Sequence, residues 1–244
     1  MYDVAIIGLG SVGSATALYC SKLGLSVIGF EQFEFGHDLG SFAGNTRITR
    51  QAIGEHRSYS KRAIRSLELI KQNENFRGEL FLQNGTAIVY KDSQIDSVFH
   101  HGNDNFLQNT LISAKTYNVE HSIYDKDNTY FPGYNVYLEP TSGTLFSQRI
   151  VRRNIELANK NGAALYFNTK GALSSNTVNG IAVKNIIVCT GAWQNIENIK
   201  VTRQVQHFYK TDKLNGPNFI WQADIGCFYG FGNIDGIVKI ATET

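Results

Sequence analysis

Gly8, Gly10 and Gly13, in the run GLGSVG, stand at the spacing G-x-G-x-x-G directly after the apolar residues 4–7. That spacing suits one task, the close wrapping of a backbone around a pyrophosphate. Gly8 permits a tight turn, Gly10 lets the backbone approach the phosphates, and Gly13 lets the helix opened by Ser11 and Val12 pack on the strand. Glu31, followed by Gln32, closes the next apolar stretch, where a carboxylate can accept both hydroxyls of a ribose and repels a 2′-phosphate. Arg47 and Arg50 end a polar, glycine-rich loop over residues 36–45. Lys239 sits between apolar residues in IVKIA, an odd place for an ammonium, since burial of an unpaired charge is costly. Its alternative reading is an edge-strand lysine that discourages aggregation.

These residues need elements to hold them. The order strand, glycine turn, helix, strand, acid is that of a dinucleotide-binding unit, and the acid leaves NAD or FAD as the ligand. In the first helix Val12, Ala15, Leu18 and Leu23 are expected on the buried side, and in a second helix Tyr59, Ala63, Leu67 and Ile70. ELFLQNGTAIVY reads as a hairpin turned at Asn84-Gly85. Residues 91–105 read as a connector, followed by a helix bearing Phe106, Thr110, Leu111 and Ala114. SQRIVRRNIELANKNGA reads as an amphipathic helix capped by Ser147 and ended by Gly162. From Val201 onward the pattern is strand after strand.

Composition excludes several classes. With 42% hydrophobic and 18% charged residues the 244-residue chain is an ordinary globular one, and a net charge of +2 without a basic run argues against nucleic acid. Apolar stretches are strand-sized, so neither a signal peptide nor a membrane span is expected. Cys20, Cys189 and Cys227 make no metal or disulfide spacing and suit a reducing cytoplasm; the pair His100 and His101 has no third ligand nearby.

GSFAGNTRITRQAIGE, together with the glycine fingerprint, resembles the monomeric sarcosine oxidase and N-methyltryptophan oxidase family of FAD-dependent amine oxidases. YLEPTSGTLFS (137–147), IIVCTGAW (186–193), RQVQHFY (203–209) and FYGFGNIDGIVKIATE (228–243) follow in the family's order, so the resemblance spans nearly the whole chain. It implies an α/β (mixed α+β) fold, with a Rossmann-like FAD-binding domain interleaved with a substrate domain built on a large mixed sheet. The expected division is residues 1–75 and 140–200 for the first and 76–139 and 201–244 for the second. It further implies oxidation of the C–N bond of a small amine or N-methyl amino acid, with O2 giving imine and H2O2. By the same resemblance Arg47 lies beside the flavin, Ser41 and Thr46 lie in the contacting loop, and Gly171 meets the adenine. Gly191 and Trp193 pass close to the cofactor, although an indole there also fits a core position. Arg50 grips the substrate carboxylate and Lys239 promotes reaction with oxygen.

The chain departs from the family in four places. The family continues beyond the position matching Thr244, with a flavin-linking cysteine, a substrate-binding lysine and a late glycine-rich segment; FAD is therefore expected to be non-covalent. The stretch after Leu173 is short, and the turn before VYLEP and the link from Trp193 to Val201 are abbreviated. Glu243 stands where sarcosine oxidases carry a substrate-contacting histidine, and a carboxylate there favours a cationic amine. The alternatives are an FAD-binding fragment or subunit whose exposed apolar surface is covered by a partner chain or a homo-oligomer, and an NAD-linked dehydrogenase.

Overall fold

The residues described in the computed structural model are 1–92, 105–194 and 199–242, and they form two compact units. One comprises residues 1–46 and 146–201, the other residues 47–145 and 202–244. Residues 47–75, expected with the first domain, lie in the second unit.

In the first unit β1 (Tyr2–Ile7) lies between β2 (Val27–Phe30) and β12 (Ile181–Val188), parallel to both, and β9 (Ala164–Tyr166) continues the sheet beside β2. Successive strand side chains point to opposite faces. Val4 and Ile6 therefore join one cluster with Leu18 and Ile155, while Ala5 and Ile7 join another with Ile28 and Phe30. An uninterrupted apolar run is what a strand covered on both faces requires. The short strands β10 (Leu173–Ser174) and β11 (Thr177–Val178) extend the sheet antiparallel beyond the start of β12.

Helix α1 (Ser11–Lys22) buries a stripe different from the one expected: Gly13, Ser14, Ala17, Leu18 and Ser21 face inward, while Val12 and Leu23 are exposed. The small residues let α1 approach α4 (Ser147–Lys160), whose Val151, Asn154, Ile155 and Ala158 are buried and whose Asn154 Nδ2 donates to Ser14 Oγ at 3.4 Å. Ser147 opens α4 without capping it, because its hydroxyl donates to the Phe42 carbonyl at 2.6 Å. Gly162, at φ +90°, follows the helix end as expected.

The second unit carries a seven-stranded mixed sheet. Its order is β13 (His207–Lys210), β16 (Ile237–Thr242), β15 (Gly226–Ile234), β14 (Asn218–Ala223), β5 (Thr86–Tyr90), β7 (Asn135–Glu139), β6 (Ser122–Tyr124). On one face Ile88, Tyr90, Tyr137 and Ile220 pack with Phe106, Leu107 and Ala114 of α3 (Phe106–Thr116); on the other, Ala87, Val89, Val136 and Leu138 pack with Phe131, Phe219 and Trp221. Each fully buried Val, Leu, Ile or Phe among them contributes about 1.5–3 kcal/mol. In α2 (Ser60–Gln72) Leu67 is buried, whereas Tyr59 precedes the helix in a 3-10 turn and is exposed.

The Asn84-Gly85 turn does not make the expected hairpin. β4 (Phe81–Leu82) pairs with β8 (Gly143–Phe146) in a three-stranded sheet that also holds β3 (Thr46–Thr49), whereas β5 joins the large sheet. The Asn84 side chain donates to Asn218 Oδ1 at 3.3 Å and accepts from Thr144 Oγ1 at 3.2 Å, so tertiary partners redirect the chain at this point.

Candidate functional site

The glycine turn of the first unit closes on itself tightly. Gly8 has φ +89°, and a Cβ there would lie 2.5 Å from the Cys189 carbonyl oxygen. A Cβ on Gly13 would lie 1.8 Å from the Gly8 carbonyl oxygen, so no side chain fits where α1 meets the turn. On Gly10 a Cβ would meet the Phe42 ring at 3.3 Å. No side chain caps α1 at Gly10, and Ser11 and Val12 are exposed, which leaves the first-turn amides and the positive end of the helix dipole to an anionic ligand.

Glu31 ends β2 and is 6% exposed. Its carboxylate accepts from Leu9 N–H at 2.8 Å and Phe33 N–H at 3.1 Å, and His37 Nε2 lies 3.7 Å away. These bonds fix it beside the glycine turn with acceptor capacity left over, since a carboxylate offers about four lone-pair sites. His37 was not foreseen from the sequence; its Nδ1 accepts from Leu39 N–H at 3.0 Å and its ring packs against Phe33 and Phe42. Trp193 is not a core residue: it is exposed, lies edge-on to Phe33 and donates from Nε1 to the Leu39 carbonyl at 3.0 Å. Gly191 and Ser41 are exposed, Gln32 is half-buried and Thr46 is buried. At Gly171 a Cβ would meet the Ile7 side chain at 3.0 Å, so the backbone there runs close along β1.

The second unit holds the cations. β16 lies between β13 and β15, so Lys239 is on an interior strand and only 4% exposed; the edge-strand reading does not hold. Its register shares a face with Tyr229, Ile220, Ile88 and Tyr137. The ammonium sits over the Phe231 ring, 4.1 Å from its centroid. Burial first, and then the neighbouring Arg47 guanidinium, bring the Lys239 ammonium down to about 7. Burial also lowers Arg47, with Tyr229 opposing it. A second group forms around Arg50. Its Nη2 donates to Glu55 Oε1 at 2.5 Å, its guanidinium lies 5.2 Å from the Phe106 ring centroid, and its Nη1 is buried with no hydrogen-bond partner among the described residues. Glu139 lies behind this loop, accepting from Gln51 and Ala52 N–H. Burial pushes the Glu139 carboxyl up, against those amides and Arg50, which lower it. Glu55, Glu139 and Tyr229 were not singled out from the sequence, where each looks like an ordinary strand or loop residue. Glu243 lies outside the described residues, as do His100 and His101.

A sequence profile of FAD dependent oxidoreductases matches residues 3–243, nearly the whole chain. The chain belongs to this family. Among its relatives, a monomeric sarcosine oxidase of a Bacillus species is 29% identical, over 96% of this chain and 66% of its own length. One from an Arthrobacter species is 30% identical, over 100% and 69%. An N-methyl-L-tryptophan oxidase of Yersinia pestis is 31% identical, over 79% and 54%. The chain thus spans about two thirds of the length of the sarcosine oxidases it matches. L-proline dehydrogenase from P. horikoshii superposes with a TM-score of 0.76 at 19% identity, covering 100% of this chain and 70% of that one. NikD, an amino acid oxidase of nikkomycin biosynthesis, gives 0.73 at 20%, covering 99% and 69%. These likenesses show a mixed α/β fold with large mixed sheets.

The first unit fits the family's cofactor. The glycine cradle that a Cβ would fill, the uncapped start of α1 and the fixed Glu31 carboxylate suit the pyrophosphate and ribose of FAD. Among the described residues no helix is long and apolar enough to cross a membrane.

Proposed function

We propose that this chain carries an oxidase activity of the sarcosine oxidase type, on a small secondary or primary amine that bears a carboxylate. The substrate loses a hydride equivalent from carbon and a proton from nitrogen to become an imine, and O2 gains two electrons and two protons to become H2O2. FAD would be held by Gly8, Gly10, Ser11, Val12, Gly13, Glu31 and Gln32, with Ser41, Thr46, Gly171, Gly191 and Trp193 also contacting it, and would supply the hydride acceptor. Arg50 takes the substrate carboxylate at its buried Nη1, which has no hydrogen-bond partner among the described residues. Arg47 provides a fixed positive charge. Lys239 holds or hands on a proton at Nζ, and its charge favours the anionic products of oxygen reduction. The observation that carries the reading is Lys239 itself, an ammonium buried on an interior strand over the Phe231 ring and beside a second cation.

Supporting evidence would be paired flavin absorbance bands in the purified protein, released to the supernatant by acid, with peroxide formed on adding N-methyl amino acids and lost in Lys239→Met. A flavin-loaded protein inert to every amine would overturn it. That result would favour a second reading, in which the chain holds FAD but needs a partner chain or a second copy for catalysis.

A further inference from the structure

Glu139 ends β7 as a carboxylate only 1% exposed. Both of its oxygens are engaged by backbone: Gln51 N–H donates to Oε1 at 2.6 Å and Ala52 N–H to Oε2 at 3.1 Å. The Gln51 side chain adds a third tie, Nε2 donating to Thr141 Oγ1 at 2.7 Å. The turn that follows is closed on Glu139 in its turn, with Ser142 Oγ donating to its carbonyl at 2.7 Å. The two peptides directly after Arg50 are thereby fastened to the end of β7, an interior strand of the large sheet.

A neutral acceptor would satisfy a loop amide with far less desolvation than a buried carboxylate. What a carboxylate adds is a rigid fork with two acceptors on one side chain, and a negative charge that the Arg50 guanidinium stabilises. Bonds donated to an ionised acceptor are also shorter and stronger than neutral ones. Arg50 is the residue that gains, since its ion pair with Glu55 occupies Nη2 while Nη1 is buried with no hydrogen-bond partner among the described residues. We propose that Glu139 is a positioning residue for Arg50, clamping backbone 50–52 so that the guanidinium is preset for the carboxylate of an incoming substrate. This rests on the reading of Arg50 as the carboxylate-binding cation.

The test uses acetate alone as the probe, titrated calorimetrically into the purified full chain, with amide hydrogen exchange followed at Gln51 and Ala52. Glu139→Gln leaves one of the two amides facing an NH2 group; acetate affinity is expected to fall roughly ten-fold and exchange at those amides to rise by a similar factor, with β5 unaffected. Thr141→Val removes only the Gln51 side-chain tie at a half-buried turn and is expected to weaken acetate by about three-fold, which keeps the test open should Glu139→Gln fail to fold. If wild type binds no acetate, or Arg50→Lys binds it as tightly, the carboxylate reading of Arg50 fails and the proposal falls with it. If wild type binds through Arg50 while Glu139→Gln or a folded Thr141→Val matches it, the role of Glu139 alone is overturned.

Discussion

Replacement of Lys239 by methionine should stabilise the protein while it destroys the proposed activity, and the stabilisation should depend on pH. The ammonium is brought from an ordinary 10.5 to about 7 by burial and by Arg47. That gap corresponds to roughly 5 kcal/mol of disfavour for the charged form in the folded chain. Between pH 7 and 10.5 the unfolded chain binds this proton and the folded chain does not, so the lysine makes stability rise with pH across that window. Below about 7 both states are protonated and the full penalty is present. Methionine has a similar volume, can keep a sulfur contact with the Phe231 ring, and carries no charge. The variant should therefore be more stable than wild type by up to about 5 kcal/mol near pH 6, and the gap should narrow by roughly 2–3 kcal/mol by pH 9. Urea unfolding of both proteins at several pH values measures this directly, because every other titrating group cancels in the difference. A gap that stays constant with pH, or a variant less stable throughout, would refute the argument that Lys239 is a desolvated cation kept for chemistry.

Two other substitutions probe the two units separately. Gly13→Ala places a Cβ 1.8 Å from the Gly8 carbonyl oxygen, a backbone atom that cannot swing aside. It should cost about 3 kcal/mol or more by urea unfolding and abolish flavin retention; an unchanged midpoint would mean the turn is looser than its geometry implies. Glu55→Gln removes the carboxylate that occupies Arg50 Nη2, so an incoming carboxylate no longer competes for the guanidinium. Acetate should bind about 3–10 times more tightly by calorimetry, and weaker binding would make Glu55 an orienter of Arg50 instead of its competitor.

Local patterns carried the nucleotide half of this protein a long way. The β1–turn–α1–β2 order, Glu31 at its end and the glycine spacing were legible because each depends on contacts within about thirty residues. The side of α1 was misread from its large residues, since Val12 and Leu23 are exposed; the buried series Ser14, Ala17, Leu18, Ser21 follows helical spacing but consists mostly of small residues. The Asn84-Gly85 pair reads as a hairpin on local grounds, yet bonds to Asn218 and Thr144, far along the chain, send its two flanks to different sheets.

The sequence by itself showed a dinucleotide-binding opening and, through ordered blocks that resemble the sarcosine oxidases, the family and its FAD. It also made Arg47, Arg50 and Lys239 candidates, because glycine spacing and residue type are local properties. Only the tertiary structure decided what surrounds them. It placed Lys239 on an interior strand over Phe231, set Glu55 against Arg50, and brought Glu139 across 88 positions to the amide of Gln51. No local pattern announces such partners. Burial and long-range pairing create the desolvation and the fixed hydrogen bonds that turn an ordinary lysine, arginine or glutamate into a tuned one.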